Sequence, residues 1–204
     1  MLDLTADPLP AADLLLCRDC LVHLSFADVA RADVCLVTGS NTTANHPVAA
    51  TFIKDSIPPR SKIKIFGGYI GTMEAVSRGA KDAGGHVIGV TCEDIETWRP
   101  IKANSWVMEE IRKKTLVERL HTLIHESDAA LALPGGPGTL TEISLMWNLM
   151  IVESLHRRPL ILIGDGWQSV FDQFFKGLDA YVPAHQREIL KFAKDARTAV
   201  KMLE

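Results

Sequence analysis

Two glycine turns carry the residues best suited to bind an anion. They occupy residues 67–72 (GGYIGT) and 134–139 (PGGPGT), and each follows an apolar run and precedes a helical pattern. Free amides at a helix N-terminus, together with the helix dipole, attract negative charge, and glycine lets the backbone approach a phosphate closely. Neither turn reads G-x-G-x-x-G or carries a P-loop lysine, so neither a dinucleotide nor ATP hydrolysis is indicated.

Two charged side chains are predicted to point inward beside the second turn. Arg119 shares a helix face with Leu116 and Leu123, and Glu142 follows the second turn on an apolar helix. Arg119 could be a structural ion pair or reach water at the helix edge, and Glu142 could be a cap or stabilise the helix dipole. A buried acid and a buried arginine beside a phosphate turn favour an active site over these alternatives.

Alternating strands and helices must position these residues. The runs that predict strands are 33–37, 62–66, 86–91, 128–133 and 158–163. The predicted helices are 47–54, 71–83, 115–125, 139–152, 167–178 and 184–203, with a loop at 92–105. This order predicts an α/β fold, a Rossmann-like doubly wound parallel sheet with helices on both faces. Helix 139–152 is apolar nearly all round and is predicted to be buried.

Composition indicates an ordinary globular protein. It has 204 residues, 47% hydrophobic and 23% charged, which predicts a single Rossmann-like nucleotide-binding domain at 31–204 after an N-terminal segment, 1–30, of unclear structure. The net charge of -3 shows no basic excess for nucleic acid or an anionic membrane. Without an 18-residue apolar run or a basic signal region, the sequence predicts a cytoplasmic protein.

The cysteines leave one question open. Cys17 and Cys20 form a C-x-x-C, while Cys35 and Cys92 stand apart. Cytosolic thiols are normally reduced, a zinc site would need a second ligand pair where only His23 is near, and a redox pair should open a helix. Ordinary thiols are therefore favoured over a metal or redox site.

In its glycine turns and charged pair the sequence resembles the LONELY GUY family of phosphoribohydrolases, once misnamed lysine decarboxylases. The family pattern is a GG-x-x-G-x-M turn, an arginine-bearing helix and PGG-x-GT-x-x-E. Here it reads GGYIGTM at 67–73, Arg119 fifteen residues before Pro134, and PGGPGTLTE at 134–142. The resemblance covers about residues 62–180, and longer stretches look like a bacterial branch of the superfamily.

The resemblance implies hydrolysis of the N-glycosidic bond of a nucleoside 5'-monophosphate, cytokinin-type ones included, to free base and ribose 5-phosphate. Glu142 and Arg119 would be catalytic, no metal or organic cofactor would be needed, and the protein would be a homodimer that binds a small nucleotide. The implied substrate- and phosphate-binding residues are Gly39, Ser40, Gly67, Gly68, Gly71, Thr72, Met73, Gly135, Gly136, Gly138 and Thr139. The alternative is a protein that binds or carries a nucleotide or molybdenum cofactor without hydrolysis.

Overall fold

The structure is a computed structural model that describes Leu16–Cys17, Cys20–Leu21, Val34–Thr38 and residues 64–82 and 85–203. The predicted helix 47–54 and the predicted site residues Gly39 and Ser40 lie outside the described residues.

A short hairpin precedes the main sheet in the chain. Strands β1 (Leu16–Cys17) and β2 (Cys20–Leu21) pair in antiparallel fashion, with Cys17 opposite Cys20. Both cysteines of the C-x-x-C therefore lie in paired strands. The redox interpretation required them to begin a helix.

Seven parallel strands form the main sheet, in the order β6-β5-β4-β3-β7-β8-β9. They are β3 (Val34–Thr38), β4 (Lys64–Gly67), β5 (His86–Cys92), β6 (Glu109–Lys113), β7 (Ala129–Ala132), β8 (Leu160–Ile163) and β9 (Leu190–Ala193). The chain moves outward from β3 to β6 and then returns to place β7 on the other side of β3. This reversal of strand order is where doubly wound sheets bind ligands, at the carboxyl ends of the strands.

Helices cover both faces of the sheet, which confirms the predicted fold class. They are α1 (Thr72–Asp82), α2 (Glu93–Trp98), α3 (Leu116–His125), α4 (Pro137–Ile151), α5 (Asp165–Gly177), α6 (Ala184–Arg187) and α7 (Ala196–Lys201), with a 3-10 turn at Asp179–Tyr181. The described part of the chain contains no helix long and apolar enough to cross a membrane.

Strand β8 shows how the sheet divides the core. Leu160 and Leu162 join the cluster under α3, α4 and α5, whereas Ile161 and Ile163 join the cluster under α1 and α7. All four side chains are buried. A strand covered on both faces needs no polar side, which explains its continuous apolar sequence.

Strand β6 was not predicted, and a helix occupies part of the predicted loop at 92–105. Helix α2 lies within it and buries no residue, so no apolar periodicity marked it. Strand β6 follows at the sheet edge with the sequence EEIRK, mostly exposed. An edge strand with charged side chains lacks the apolar run from which strands were predicted and is a common protection against edge pairing.

The predicted helix 184–203 was wrong. It divides into α6, strand β9 and α7, and β9 (LKFA) is too short to interrupt a helical pattern visibly. The Asp195 carboxylate accepts the backbone N–H and the hydroxyl of Thr198, both at 2.7 Å, which marks the true beginning of the last helix.

Helix α4 is buried along one side only. Ile143, Met146 and Met150 are buried, but Leu140 is 40% exposed, and Thr141, Ser144 and Asn148 are exposed. The prediction of a fully buried helix was therefore wrong on the outer side.

Gly89 offers a test of the packing between β5 and the loop after α2. A methyl group at residue 89 would lie 2.8 and 2.9 Å from the two Val107 methyl carbons. We expect Gly89→Ala to lower the free energy of unfolding by about 1–3 kcal/mol, because the tight contact forces a shift. Urea denaturation measures this change.

Gly166→Ala is the matched control, because a methyl group at residue 166 meets nothing within 4 Å. We expect it to be neutral or to stabilise by up to about 1 kcal/mol. Combined with Val107→Ala, the Gly89→Ala loss should be less than additive. Full additivity would contradict the steric explanation.

Candidate active site

The first glycine turn needs its glycines. Gly67 ends β4, Gly68 has φ +156 and Gly71 has φ +79. A methyl group on Gly68 would lie 3.1 Å from the carbonyl oxygen of Val90. Thr72 then begins α1, so this turn presents a helix N-terminus at the end of a strand next to the switch point.

Asn104 fixes this turn from the loop after α2. Its backbone N–H donates to the Gly68 carbonyl at 2.8 Å. Its side-chain amide donates to the Tyr69 carbonyl at 2.9 Å and to the Ser77 hydroxyl at 3.2 Å, while its Oδ1 accepts the N–H of Trp106 at 3.0 Å. A buried amide with these partners rigidifies the turn.

The second turn leads directly into α4. Gly136 caps the helix and Pro137 is its first residue, where a missing N–H disturbs no helical bond. The amides of Gly138 and Thr139 belong to the first helical turn, where a backbone N–H has no partner within the helix. A methyl group on Gly138 would meet nothing within 4 Å, so this side of the turn is open.

Trp167 supports the second turn from α5. Its indole N–H donates to the Leu133 carbonyl at 3.0 Å, immediately before the turn. Gly164, with φ +101, lies before α5 beside the turn, and a methyl group there would make an ordinary contact with Pro134 Cγ at 3.5 Å. The turn is thus held by β8 and α5 as well as by its own strand.

Arg119 and Glu142 form a buried ion pair beside these turns. The guanidinium donates to Glu142 Oε1 at 3.2 Å, and the two side chains are only 6% and 11% exposed. Arg119 Nε also donates to the Val90 carbonyl at 2.9 Å, and its second amino group lies 3.9 Å from Met73 Sδ. The arginine therefore connects the helix of the first turn with the helix of the second.

Glu142 lies in the second turn of α4, whose first turn contains no acidic residue. This position excludes its interpretation as a helix cap, which requires the first turn. An arginine at hydrogen-bond distance favours the ionised carboxylate. The pair thus places a carboxylate in direct contact with a guanidinium beside the two turns.

Tyr69 covers the guanidinium. Its ring centroid lies 5.7 Å from Arg119 Cζ. Its hydroxyl accepts the backbone N–H of Cys92 at 2.8 Å and donates to the carbonyl of the same residue at 3.2 Å. Burial raises the pKa of Tyr69 to about 12, against the lowering effects of the Cys92 hydrogen bond and the Arg119 charge.

The structure brings most of the predicted site residues into these two turns and the ion pair, although their roles in binding and catalysis stay predictions. Sequence reasoning missed Tyr69, Asn104 and Trp167. An aromatic residue inside a glycine turn was a visible signal for Tyr69. Asn104 and Trp167 carried none, because their partners are distant carbonyl groups.

Comparisons with known proteins identify the family of this chain. A family described as "possible lysine decarboxylase" matches residues 73–203. Cytokinin riboside 5'-monophosphate phosphoribohydrolase LOG2 of Arabidopsis thaliana is 28% identical over 179 residues, covering 84% of this chain and 82% of its own. The enzyme LOG of Oryza sativa subsp. japonica is 30% identical over 183 residues, covering 84% and 72%. The chain belongs to the LONELY GUY family. This confirms the predicted resemblance and supports a hydrolase of that family.

Solved structures share the fold. The molybdenum cofactor carrier protein of Chlamydomonas reinhardtii aligns with a TM-score of 0.60 and 26% identity, over 83% of this chain and 94% of its own. The molybdenum cofactor binding protein of the phototrophic bacterium Rippkaea orientalis gives a TM-score of 0.60 at 21% identity, over 83% and 93%. The LONELY GUY chain therefore has a fold that is also found in carrier proteins.

The ionisation of Tyr69 can be measured directly. The chain has two tyrosines, so Tyr181→Phe leaves Tyr69 as the sole phenol. Its absorbance titration should have a midpoint near pH 12, whereas free tyrosine titrates at about pH 10. Because folding raises this pKa, the burial of the neutral phenol stabilises the fold below about pH 10, and that stabilisation is lost as the pH rises through 12. A midpoint near 10 would contradict the buried, anchored position.

Proposed function

We propose that this LONELY GUY protein hydrolyses the N-glycosidic bond of nucleoside 5'-monophosphates. The observation that carries the proposal is the buried Arg119–Glu142 ion pair, 3.2 Å between nitrogen and oxygen, beside two glycine turns. The names of the plant relatives support nucleoside monophosphates as the substrate class.

Phosphate binding is supported by the first turn of α4. The Thr139 hydroxyl is a buried side-chain oxygen without a hydrogen-bond partner within the part of the chain that the structure describes. An unpaired buried hydroxyl costs about 1–3 kcal/mol. A phosphate oxygen at this helix N-terminus would accept a hydrogen bond from the Thr139 hydroxyl. The phosphate would also accept hydrogen bonds from the amides of Gly138 and Thr139.

The position of Glu142 suits attack at the ribose. It lies five positions after Pro137, about 7.5 Å along the helix axis. Side chains lean toward the N-terminus of their helix, so the carboxylate is directed back toward the turn. With the 5'-phosphate at the turn, the ribose would bridge the two and bring C1' to the carboxylate.

In the proposed reaction the C1'–N bond breaks and its electron pair leaves with the base. The ionised Glu142 stabilises the positive charge that develops at C1' and directs a water oxygen to that carbon. One proton of this water goes to the base nitrogen, and its hydroxyl becomes the 1-hydroxyl of ribose 5-phosphate. Arg119 keeps Glu142 ionised and oriented.

Glu142→Gln tests the catalytic role. The amide keeps the size of the side chain but removes the charge that stabilises the transition state. We expect kcat to fall by at least about 100-fold. Release of base and ribose 5-phosphate from AMP, GMP, CMP and prenylated AMP should be followed by chromatography.

Glu188→Gln is the matched control, because Glu188 is exposed beyond the short helix α6. It should hydrolyse nucleotides at the unchanged rate. The proposal is wrong if the folded protein with its native sequence releases no base from any of the four, or if Glu142→Gln remains fully active.

A second candidate function is binding or carriage of a molybdenum cofactor or nucleotide without hydrolysis. The 26% identity to the Chlamydomonas carrier favours it. Mass spectrometry of the ligand that co-purifies separates the two functions. An intact cofactor or nucleotide that survives long incubation supports carriage, and ribose 5-phosphate supports hydrolysis.

We also infer a homodimer in the cytoplasm. Apolar surface is exposed on the outer side of α4 at Leu140, which is 40% exposed. Val152, directly after the helix, is 59% exposed. Light scattering should give twice the mass of one chain, and a monomer would contradict the inference. Cell fractionation tests the location.

A further inference from the structure

Tyr69 has no direct part in the proposed hydrolysis, although it lies inside the first glycine turn. It is only 3% exposed, so its side chain is directed into the protein and away from a ligand at the turn. Both hydrogen-bonding capacities of its hydroxyl are used by the backbone of Cys92. The face of the ring lies against the Arg119 guanidinium, whose Cζ is 5.7 Å from the ring centroid.

One strand fixes both the ring and the arginine. Val90 in β5 accepts the hydrogen bond from Arg119 Nε at 2.9 Å. Cys92, two residues further along the same strand, holds the Tyr69 hydroxyl. Since the backbone of β5 sets the spacing of these two anchors, the ring and the guanidinium have one relative position.

We propose that Tyr69 is a positioning residue for the Arg119–Glu142 pair. Arginine has a long side chain with several rotamers, and the Val90 and Glu142 contacts constrain its nitrogen atoms without covering the guanidinium face. An aromatic ring attracts a cation to its own face and is most effective when both are desolvated. Tyr69 thus keeps the guanidinium where it orients Glu142.

The kinetic consequence rests on the proposed function. Without the ring, Arg119 gains alternative positions and Glu142 loses its alignment with C1'. Small misplacements in an active site cost up to about 100-fold in rate, so we expect kcat of Tyr69→Leu to fall roughly 10- to 100-fold. The KM for AMP should stay within about twofold, since the amides proposed to bind its phosphate are those of Gly138 and Thr139 in the second turn, whereas Tyr69 lies in the first.

Tyr69→Phe and Tyr181→Leu complete the kinetic test. The phenylalanine keeps the ring and loses only the anchor at Cys92, so it should recover part of kcat. Tyr181 is 80% exposed and is the other tyrosine of the chain, so Tyr181→Leu should behave as the native sequence. A general packing role for Tyr69 would lower stability without this separation of kcat from KM.

A second readout is independent of activity. The NMR signal of Arg119 Nε–H, assigned by its loss in Arg119→Lys, should exchange slowly in the native protein because its acceptor is the buried Val90 carbonyl. Exchange should become faster in Tyr69→Phe and fastest in Tyr69→Leu, with no change in Tyr181→Leu.

These two readouts separate the proposals. If the native protein releases no base, the hydrolase proposal fails, and the order of Arg119 exchange rates still decides the role of Tyr69. An Arg119 signal that is unchanged in Tyr69→Leu would overturn the role of Tyr69 while hydrolysis stands. If Tyr69→Leu does not fold, Tyr69→Phe alone decides the question. An Arg119 Nε–H that exchanges in Tyr69→Phe as slowly as in the native protein would then overturn the inference.

Discussion

The buried charge of Arg119 is the constraint around which the candidate site is built. An arginine that is 5% exposed is strongly destabilising unless its hydrogen bonds and its charge are satisfied. Here the Val90 carbonyl accepts a hydrogen bond from Arg119 Nε, and the Glu142 carboxylate supplies the opposite charge. These partners lie on β5 and α4, so satisfying one side chain requires a strand and two helices to meet in one arrangement.

The glycine turns follow from the same arrangement. Gly68 lets the turn pass close to the Val90 carbonyl that accepts from Arg119, because a methyl group at residue 68 would lie only 3.1 Å from that oxygen. The turn then directs Tyr69 inward to the guanidinium and gives its own carbonyl groups to Asn104. The first glycine turn and the ion pair are therefore parts of one packed unit, and a change at Gly68 would disturb both. This coupling explains how the fold places a glycine turn next to a buried carboxylate.

The fold was readable where the core dictates sequence. Strand β8 is buried on both faces, and its uninterrupted LILI run predicted the strand. Edge and surface elements lacked this signal, because β6 is built from charged residues and α2 buries none of its own. At the C-terminus, the four residues of β9 were absorbed into a helical pattern, and only the Asp195 cap marked the interruption. Prediction failed for β6 and α2 because they contribute little to the core, and for β9 because four residues are too few to break a helical pattern.

The sequence by itself determined the two glycine turns, the inward direction of Arg119 and the need of that arginine for an acid. These are local properties, since helical spacing sets the direction of a side chain and the burial of a charge requires a partner. Only the tertiary structure decided that the acid is Glu142, that Tyr69 covers the pair and that Asn104 and Trp167 hold the turns. Those contacts join residues 23 to 50 positions apart along the chain or act through backbone carbonyl groups, which every residue possesses and no side-chain pattern reveals.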